Sequence, residues 1–273
     1  MKSIVSAQWL NSHFLNPNLI ILDASVAKSK SGLTVKNPGI QIKGARKFDF
    51  KNDFSDKKSA FPNMLPSPEE FEKGCRNIGI CNKSILVVYD NRGIYSSPRV
   101  WWMFKTMRFD NIAVLDGGLD AWVSLGFPIE KLKSENAKKP QGNFTANFRS
   151  YLVVNKDFVR QNIETQTHLL IDARSSGRFL GTQLEPRAGL PGGNIPNSVN
   201  LPYTEVLKEG KFKSKPELNK LFSKFKIGDK PLIFSCGSGI TACIIMLAAE
   251  QILDNPKAVY DGSWTQWALT EKP

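Results

Sequence analysis

The sequence predicts an α/β protein made of two copies of one unit, each a parallel sheet flanked by helices. Short apolar strands alternate with helical stretches along all 273 residues, which is typical of parallel sheets covered on both faces. Four landmarks also recur in the same order at an offset of roughly 150 residues, which indicates a duplication. A chain of this length can hold two domains with ample core.

The repeated landmarks are short apolar strands and the turns that follow them. SILVVYD at 84–90 matches KPLIFSC at 230–236, and AVLDGGLDAW at 113–122 matches AVYDGSWTQW at 258–267. Four ordered matches are hard to assign to chance. The four pairs are 20–25 with 169–174, 42–49 with 195–202, 84–90 with 230–236 and 113–122 with 258–267.

The boundaries of the two units follow from the repeat and from composition. We expect the first domain at 1–133, with a buried helix at 100–107, and the second at 151–273. The stretch 134–150 is polar and contains Pro and Gly, so we interpret it as the linker. Phe144 and Phe148 are expected to pin this linker to a domain surface.

The stretch 231–249, PLIFSCGSGITACIIMLAA, is predicted to carry the function. Pro231–Ser235 reads as a buried strand and Gly-Ser-Gly as a tight loop. Thr241–Ile252 favours a helix, with Thr241 as its cap. Cys236 lies where the strand ends and the loop begins.

This position is expected to make the thiol of Cys236 reactive. A loop that enters a helix N-terminus aims several N–H groups at one point, and the helix dipole adds positive potential there. A nucleophilic thiolate is therefore expected near neutral pH. Gly237 and Gly239 permit unusual backbone angles and close approach of a substrate. The alternative is a buried, inert cysteine, and we interpret Cys243, inside the apolar helix, in that way.

The first unit has Asp90 where the second has Cys236. Its loop therefore lacks the sulfur nucleophile, and we expect a structural or interface role for Asp90. One active site in a two-unit chain is the simplest interpretation.

Composition argues against several classes of protein. The net charge is +12, but the lysines are scattered and form no arginine-rich strip with aromatics, so nucleic-acid binding is disfavoured. The positive field is expected to attract a small anionic substrate or an acidic partner. We find no apolar stretch that could span a bilayer and no signal-peptide core, so no membrane association is expected.

The cysteine and histidine content points to a cytoplasmic protein without a cofactor. Four cysteines in a chain this long do not make a disulfide scaffold, and a reducing cytosol fits best. With only His13 and His168 and no CxxC pair, we expect no metal.

Several motifs resemble the two-domain sulfurtransferases of the rhodanese family, and the resemblance covers nearly the whole chain. It implies an inactive N-terminal rhodanese-like domain and a catalytic C-terminal one. The loop CGSGIT at 236–241 most resembles that of the 3-mercaptopyruvate sulfurtransferases. The other motifs are SSPRVWWMF at 96–104, DGGLDAW at 116–122, DARSSGRFLGTQLEPRAGLPGGNIPNSVNLP at 172–202 and VYDGSW at 259–264.

The resemblance further implies a persulfide on Cys236 as the intermediate, with Arg178 and Arg187 holding the anionic donor. Guanidinium groups suit the carboxylate of 3-mercaptopyruvate because they give paired hydrogen bonds. The thiolate would take the donor sulfur and pyruvate would leave as its enolate. The outer sulfur would then pass to cyanide or to a thiol such as thioredoxin or glutathione. On the residues alone, a surface cation in an ion pair is the better explanation for each arginine.

The loop itself is expected to stabilise the persulfide. N–H groups of Gly237, Ser238, Gly239, Ile240 and Thr241 would cradle the sulfur anion. The hydroxyls of Ser238 and Thr241 are expected to donate hydrogen bonds or relay protons. Thiosulfate-type members of the family carry basic residues in this loop, so the neutral loop here favours mercaptopyruvate, with thiosulfate as the alternative donor.

The chain also departs from the mercaptopyruvate pattern. A histidine before Met-Leu-Pro is proposed in those enzymes to act with the loop serine and an acidic residue, but Asn63 stands here and Lys51 or Asn52 falls near the acidic position. Asparagine cannot shuttle a proton, so turnover is expected to be slow or to rely on substrate and water. Asn194 and Gln266, which replace a His and a Glu, are interpreted as structural.

Other function classes stay open to test. Phosphatases that share the fold carry an arginine after Cys and five residues, a position that Ala242 occupies here, so phosphatase activity is disfavoured. A non-catalytic binding module, or a persulfide relay to a protein acceptor, are the remaining alternatives. A one-sulfur adduct on Cys236 distinguishes the binding module from the others.

Overall fold

The computed structural model describes residues 1–26, 32–133 and 139–271. The chain divides into two compact units, and each unit takes a segment from the other half of the sequence. The first unit comprises Met1–Lys57, Leu65–Arg149 and Glu209–Phe212. The second comprises Lys58–Met64, Ser150–Lys208 and Lys213–Pro273.

The first unit is built on a five-stranded parallel sheet of order β1-β6-β5-β2-β4. A separate antiparallel pair joins β3 to β7. The strands are β1 Ile4–Val5, β2 Leu19–Asp23, β3 Ile40–Ile42, β4 Arg46–Lys47, β5 Ile85–Tyr89, β6 Ile112–Leu115 and β7 Ile129–Lys131. The helices are α1 Ala7–Ser12, α2 Pro68–Asn77, α3 Ser97–Thr106 and α4 Gly118–Ser124.

The second unit repeats this sheet with the order β8-β14-β13-β9-β10, again all parallel. The sheet strands are β8 Val153–Val154, β9 Leu169–Asp172, β10 Val199–Asn200, β13 Leu232–Ser235 and β14 Lys257–Tyr260. The short strand β11 Leu207–Lys208 also belongs to this unit, whereas β12 Lys211–Phe212 belongs to the first unit. The helices are α5 Lys156–Thr165, α6 Ser176–Phe179, α7 Lys215–Phe222, α8 Ala242–Glu250 and α9 Ser263–Thr270, with 3-10 turns at Ser150–Leu152 and Tyr203–Val206.

The matching strand orders confirm the predicted fold class, two tandem α/β units with parallel sheets flanked by helices. Central strands β5 and β13 are almost wholly buried, which explains their continuous apolar runs. Helix α8 buries every residue from Ala242 to Ala249, so it is apolar all round rather than on one stripe. It begins one residue later and ends two residues earlier than the sequence predicts.

The predicted linker 134–150 is only partly visible, because 134–138 lie outside the described residues. The remainder runs along the first unit. Phe144 is fully buried and packs on Phe71, Phe104 and Phe109. Phe148 is 44% exposed, so only Phe144 of the two aromatic side chains anchors this segment, and the expectation for Phe148 was wrong.

The described helices are all too short or too polar to cross a bilayer. In the second unit the carboxyl ends of β9, β13 and β14 meet at one edge of the sheet, since the strands are parallel. The residues that follow these strands form the candidate site.

Candidate active site

Cys236 lies directly after β13, the strand between β9 and β14. It is 1% exposed, whereas Gly237, Ser238 and Thr241 around it are partly exposed. The cysteine therefore forms the floor of the loop, and a reactant has to enter the loop to reach it. Gly239 has a φ of 76°, a left-handed conformation that glycine adopts without steric penalty.

The first two carbonyl groups of the loop are turned toward the start of α9. Cys236 O accepts the N–H of Trp264 at 2.9 Å. Gly237 O accepts both the N–H of Thr265 at 3.0 Å and its hydroxyl at 2.6 Å. Because these peptides are planar and trans, the N–H groups of Gly237 and Ser238 point away from α9.

The loop N–H groups are the electrostatic feature of the site. Those of Gly237, Ser238, Ile240 and Thr241 have no hydrogen-bond acceptor within the described residues. Unpaired N–H groups at the start of a helix form a site for an anion. The arrangement can therefore stabilise negative charge that develops above the cysteine.

Thr241 takes the N-cap position of α8, but it does not act as a cap. Its φ and ψ of −75° and −16° are helical, and its side chain makes no capping hydrogen bond. An N-cap residue has an extended backbone, which lets its side-chain oxygen accept a backbone N–H of the first helical turn. The predicted capping role of Thr241 was therefore wrong. The hydroxyl is left for other partners.

Ser263 is a part of the site that sequence reasoning missed. Its hydroxyl accepts the N–H of Cys236 at 3.1 Å, donates to Tyr260 O at 2.8 Å and lies 3.9 Å from Cys236 Sγ. Ser263 has a φ of 51°, which is strained for a residue with a side chain. The first unit has Gly118, with a φ of 55°, at the equivalent position. That difference between the repeats was the signal in the sequence.

Arg178 lies beside the loop and is held by Glu185. Its Nη2 and Nε donate to the two carboxylate oxygens at 2.6 and 3.1 Å. A Cβ on Gly237 would lie only 2.8 Å from Arg178 Nη2. Gly237 is therefore needed for the guanidinium to approach the loop this closely.

Arg187 reaches the loop through Thr265. Its Nη1 donates to Thr265 Oγ1 at 2.6 Å, and that hydroxyl donates to Gly237 O. Burial lowers the pKa of Arg187, while the charge of Glu185 opposes this shift. The structure thus brings both predicted arginines to the loop, and Glu185 and Thr265, which position them, were missed.

A buried charge network supports this arginine pair. Arg174 is fully buried, donates to Asp172 at 2.7 Å and to Glu185 at 2.8 Å, and stacks on Trp264 at 4.5 Å. Burial acts to lower the pKa of Arg174, but the charges of Asp172 and Glu185 outweigh it and raise the pKa. Glu185 thereby joins the sheet edge to Arg178.

The two remaining departures, Asn194 and Gln266, contact backbone outside the cysteine loop. The side chain of Asn194 donates to Phe179 O at 3.1 Å and so ties the end of α6 to the loop before β10. Gln266 packs against Gly262, where its Oε1 would lie 2.0 Å from an added Cβ. Within the residues that the structure describes, neither side chain forms a hydrogen bond with the cysteine loop.

The equivalent loop of the first unit holds its own anion. The Asp90 carboxylate accepts the N–H groups of Tyr95, Ser96 and Ser97 at 2.9–3.0 Å, and the Ser97 hydroxyl at 2.8 Å. Gly210 packs against Gly93, since a Cβ added to Gly93 would lie 2.8 Å from the carbonyl oxygen of Gly210. The first loop is therefore filled by the carboxylate of Asp90, and Gly210 packs against it.

We expect Ser263→Gly to lower the rate of sulfur uptake by about tenfold, because the buried Cys236 N–H loses its acceptor and the sulfur loses a neighbouring hydroxyl. Glycine keeps the φ of 51°, so backbone strain does not confound the result. Single-turnover adduct formation measures the effect. An unchanged rate would show that the hydroxyl serves only the backbone.

Comparison with known proteins identifies the family. The rhodanese-like domain model matches residues 6–125 and 155–270. The chain is 38% identical to thiosulfate/3-mercaptopyruvate sulfurtransferase 1 of Arabidopsis thaliana, covering 98% of this chain and 76% of the relative. It is 37% identical to 3-mercaptopyruvate sulfurtransferase of Rattus norvegicus, covering 100% and 94%.

A solved structure agrees with these relatives. The crystal structure of SseA from Escherichia coli, a 3-mercaptopyruvate sulfurtransferase-type enzyme with the rhodanese fold, superposes with a TM-score of 0.84 at 34% identity. The match covers 97% of this chain and 99% of that one. Two matched domains, full-length relatives and a shared fold lead to one conclusion: the chain belongs to the rhodanese family and is a two-domain sulfurtransferase.

Proposed function

We propose that the second unit transfers a sulfur atom from 3-mercaptopyruvate, through a persulfide on Cys236, to cyanide or a thiol. The observation that carries this proposal is a thiol on the floor of a loop in which the N–H groups of Gly237, Ser238, Ile240 and Thr241 have no acceptor in the described chain. A persulfide anion on this cysteine would accept hydrogen bonds from those N–H groups, which are held in place before the reaction begins.

In the first step the Cys236 thiolate attacks the sulfur of the donor. An S–S bond forms and the C–S bond of the donor breaks. The electron pair of the C–S bond leaves with pyruvate as its enolate, which takes up a proton. The loop N–H groups and the Ser238 and Thr241 hydroxyls are proposed to stabilise the negative charge.

Arg178 and Arg187 are proposed to bind the carboxylate of the donor. Nη1 of Arg178 and Nη2 of Arg187 have no acceptor in the part of the chain that the structure describes. Arg178 therefore presents Nη1 while Glu185 holds its Nε and Nη2, and Arg187 presents Nη2 while Thr265 holds its Nη1. A carboxylate that bridges them would be oriented by directional, charge-assisted hydrogen bonds.

Charge balance supports a singly charged donor over a doubly charged one. The formal charges of Asp172, Arg174, Arg178 and Glu185 cancel, since two are positive and two are negative. Arg187 then adds one positive charge beside a neutral loop. Mercaptopyruvate carries one carboxylate, whereas thiosulfate is a dianion that needs more compensation. Thiosulfate remains the second candidate, because the name of the Arabidopsis relative includes both donors.

In the second step an acceptor attacks the outer sulfur of the persulfide. The S–S bond breaks, the Cys236 thiolate is restored, and thiocyanate or a new persulfide leaves. Cyanide, glutathione and thioredoxin are proposed acceptors. All four cysteines are free, and the reaction needs Cys236 reduced, so we propose a reducing, cytoplasmic setting.

The first unit, residues 1–133 in our division of the sequence, is proposed to be non-catalytic. The carboxylate of Asp90 already uses the N–H groups that a persulfide would need. A carboxylate does not accept sulfur from a donor as a thiolate does. The second domain, 151–273, then carries the chemistry.

A comparison of donors tests the proposed substrate. We expect kcat/KM with mercaptopyruvate to exceed that with thiosulfate by more than about tenfold, with cyanide as the common acceptor. Thiocyanate formation measures both rates. Equal rates, or a preference for thiosulfate, would contradict the donor while leaving the persulfide intact.

A further inference from the structure

Asn63 contacts the cysteine loop although it lies 175 residues away in sequence. It belongs to Lys58–Met64, the segment that groups with the second unit. Its Nδ2 lies 3.1 Å from both Ser238 O and Ser238 Oγ. Asn63 has a φ of 63°, a left-handed conformation that asparagine and glycine accept better than most residues.

The contact fixes the direction of the amide. A backbone carbonyl oxygen can only accept a hydrogen bond, so the group that faces Ser238 O has to be the NH2 of Asn63. The same NH2 faces Ser238 Oγ. Ser238 Oγ is therefore an acceptor in this contact.

This assignment leaves the hydroxyl hydrogen of Ser238 free to point away from Asn63. A hydroxyl has one hydrogen to donate, while its oxygen can accept at the same time. An amide of Asn has no proton to take up or release near neutral pH, so it cannot make Ser238 a stronger base. It can only orient the hydroxyl.

We infer that Asn63 is a positioning residue that fixes Ser238 as a hydrogen-bond donor toward the carbonyl oxygen of a 2-oxo thiol donor. The inference rests on the proposed function. Negative charge grows on that oxygen as the C–S bond breaks and the enolate forms. A donor that is already oriented stabilises this charge without reorganisation, so its contribution falls on the chemical step.

A double-mutant cycle tests the inference. Asn63→Gly removes the amide and keeps the backbone angle, and it should lower the single-turnover rate of persulfide formation by about tenfold. In the Ser238→Ala background the same change should lower the rate by less than about twofold, because the hydroxyl to be oriented is gone. The expected loss appears in the maximal rate, with the apparent affinity for mercaptopyruvate unchanged.

The chain offers a matched control. Asn197 also has a left-handed backbone, with a φ of 61°, and also donates to a carbonyl oxygen, that of Ile163 at 2.9 Å. Asn197→Gly should leave the rate unchanged. Asn63→Asp adds a second check, since its carboxylate accepts and would draw the Ser238 hydrogen away from the donor; its loss should also be smaller in the Ser238→Ala background.

Two failures are distinguishable. A wild-type protein that forms no persulfide with mercaptopyruvate would overturn the proposed function. A wild-type protein that forms it, while Asn63→Gly slows it by the same factor with and without the Ser238 hydroxyl, would overturn the positioning role of Asn63.

Discussion

Replacement of Cys236 by serine should abolish sulfur transfer, with a loss in kcat of at least about a thousandfold. A serine hydroxyl is not ionised at neutral pH and forms no bond equivalent to a persulfide. The change replaces the sulfur atom by oxygen and nearly keeps the size of the side chain, so the buried floor of the loop is preserved. Steady-state thiocyanate formation from mercaptopyruvate and cyanide measures the loss.

A second cysteine provides the control for this substitution. Cys81 is a free, half-buried cysteine of the first unit, and Cys81→Ser should keep wild-type activity. Cys243→Ser is less suitable because its Sγ donates to Gly239 O at 3.4 Å beside the loop. Retention of activity by Cys236→Ser would refute the assignment of the nucleophile.

Replacement of Arg174 by methionine should lower the free energy of unfolding of the second unit by about 3–5 kcal/mol. Asp172 and Glu185 have side chains that are 1% and 2% exposed, and both would lose a buried positive partner. The carbonyl of Gly193, 2.7 Å from Arg174 Nη2, would lose its donor as well. Methionine fills much of the volume, so the loss reports charge rather than a cavity.

Thermal unfolding gives the measurement, and the midpoint of the second unit should fall by about 6–20 °C. Arg160→Met is the matched control in the same unit. Arg160 forms an exposed ion pair with Glu271, with its side chain 54% exposed, where solvent screening leaves such pairs with little effect. A fall for Arg174→Met no larger than for Arg160→Met would contradict the buried network.

The repeated strands, the glycine loop and the position of Cys236 were predictable from sequence. Strand β13 is a continuous apolar run because both faces of the central strand are covered, and such runs are legible without a structure. The duplication also predicted which unit carries the nucleophile, since Asp90 and Cys236 occupy the same position in the two units.

The supporting contacts were not predictable, because they depend on packing between distant segments. Asn63 reaches Ser238 only once Lys58–Met64 groups with the second unit. Glu185 reads as an ordinary surface acid in sequence, yet it is buried between Arg174 and Arg178. The position of Thr241 before α8 was predicted correctly from the sequence. Its backbone angles, which exclude the capping hydrogen bond, were not.

Intact-protein mass spectrometry after brief treatment with mercaptopyruvate tests the central claim most directly. The account predicts a mass increase of one sulfur atom, located on the peptide that contains Cys236 and removed by cyanide. Cys81→Ser should gain the same mass and Cys236→Ser should not. An unmodified wild-type protein, or a sulfur atom found on another cysteine, would contradict a persulfide on the floor of this loop.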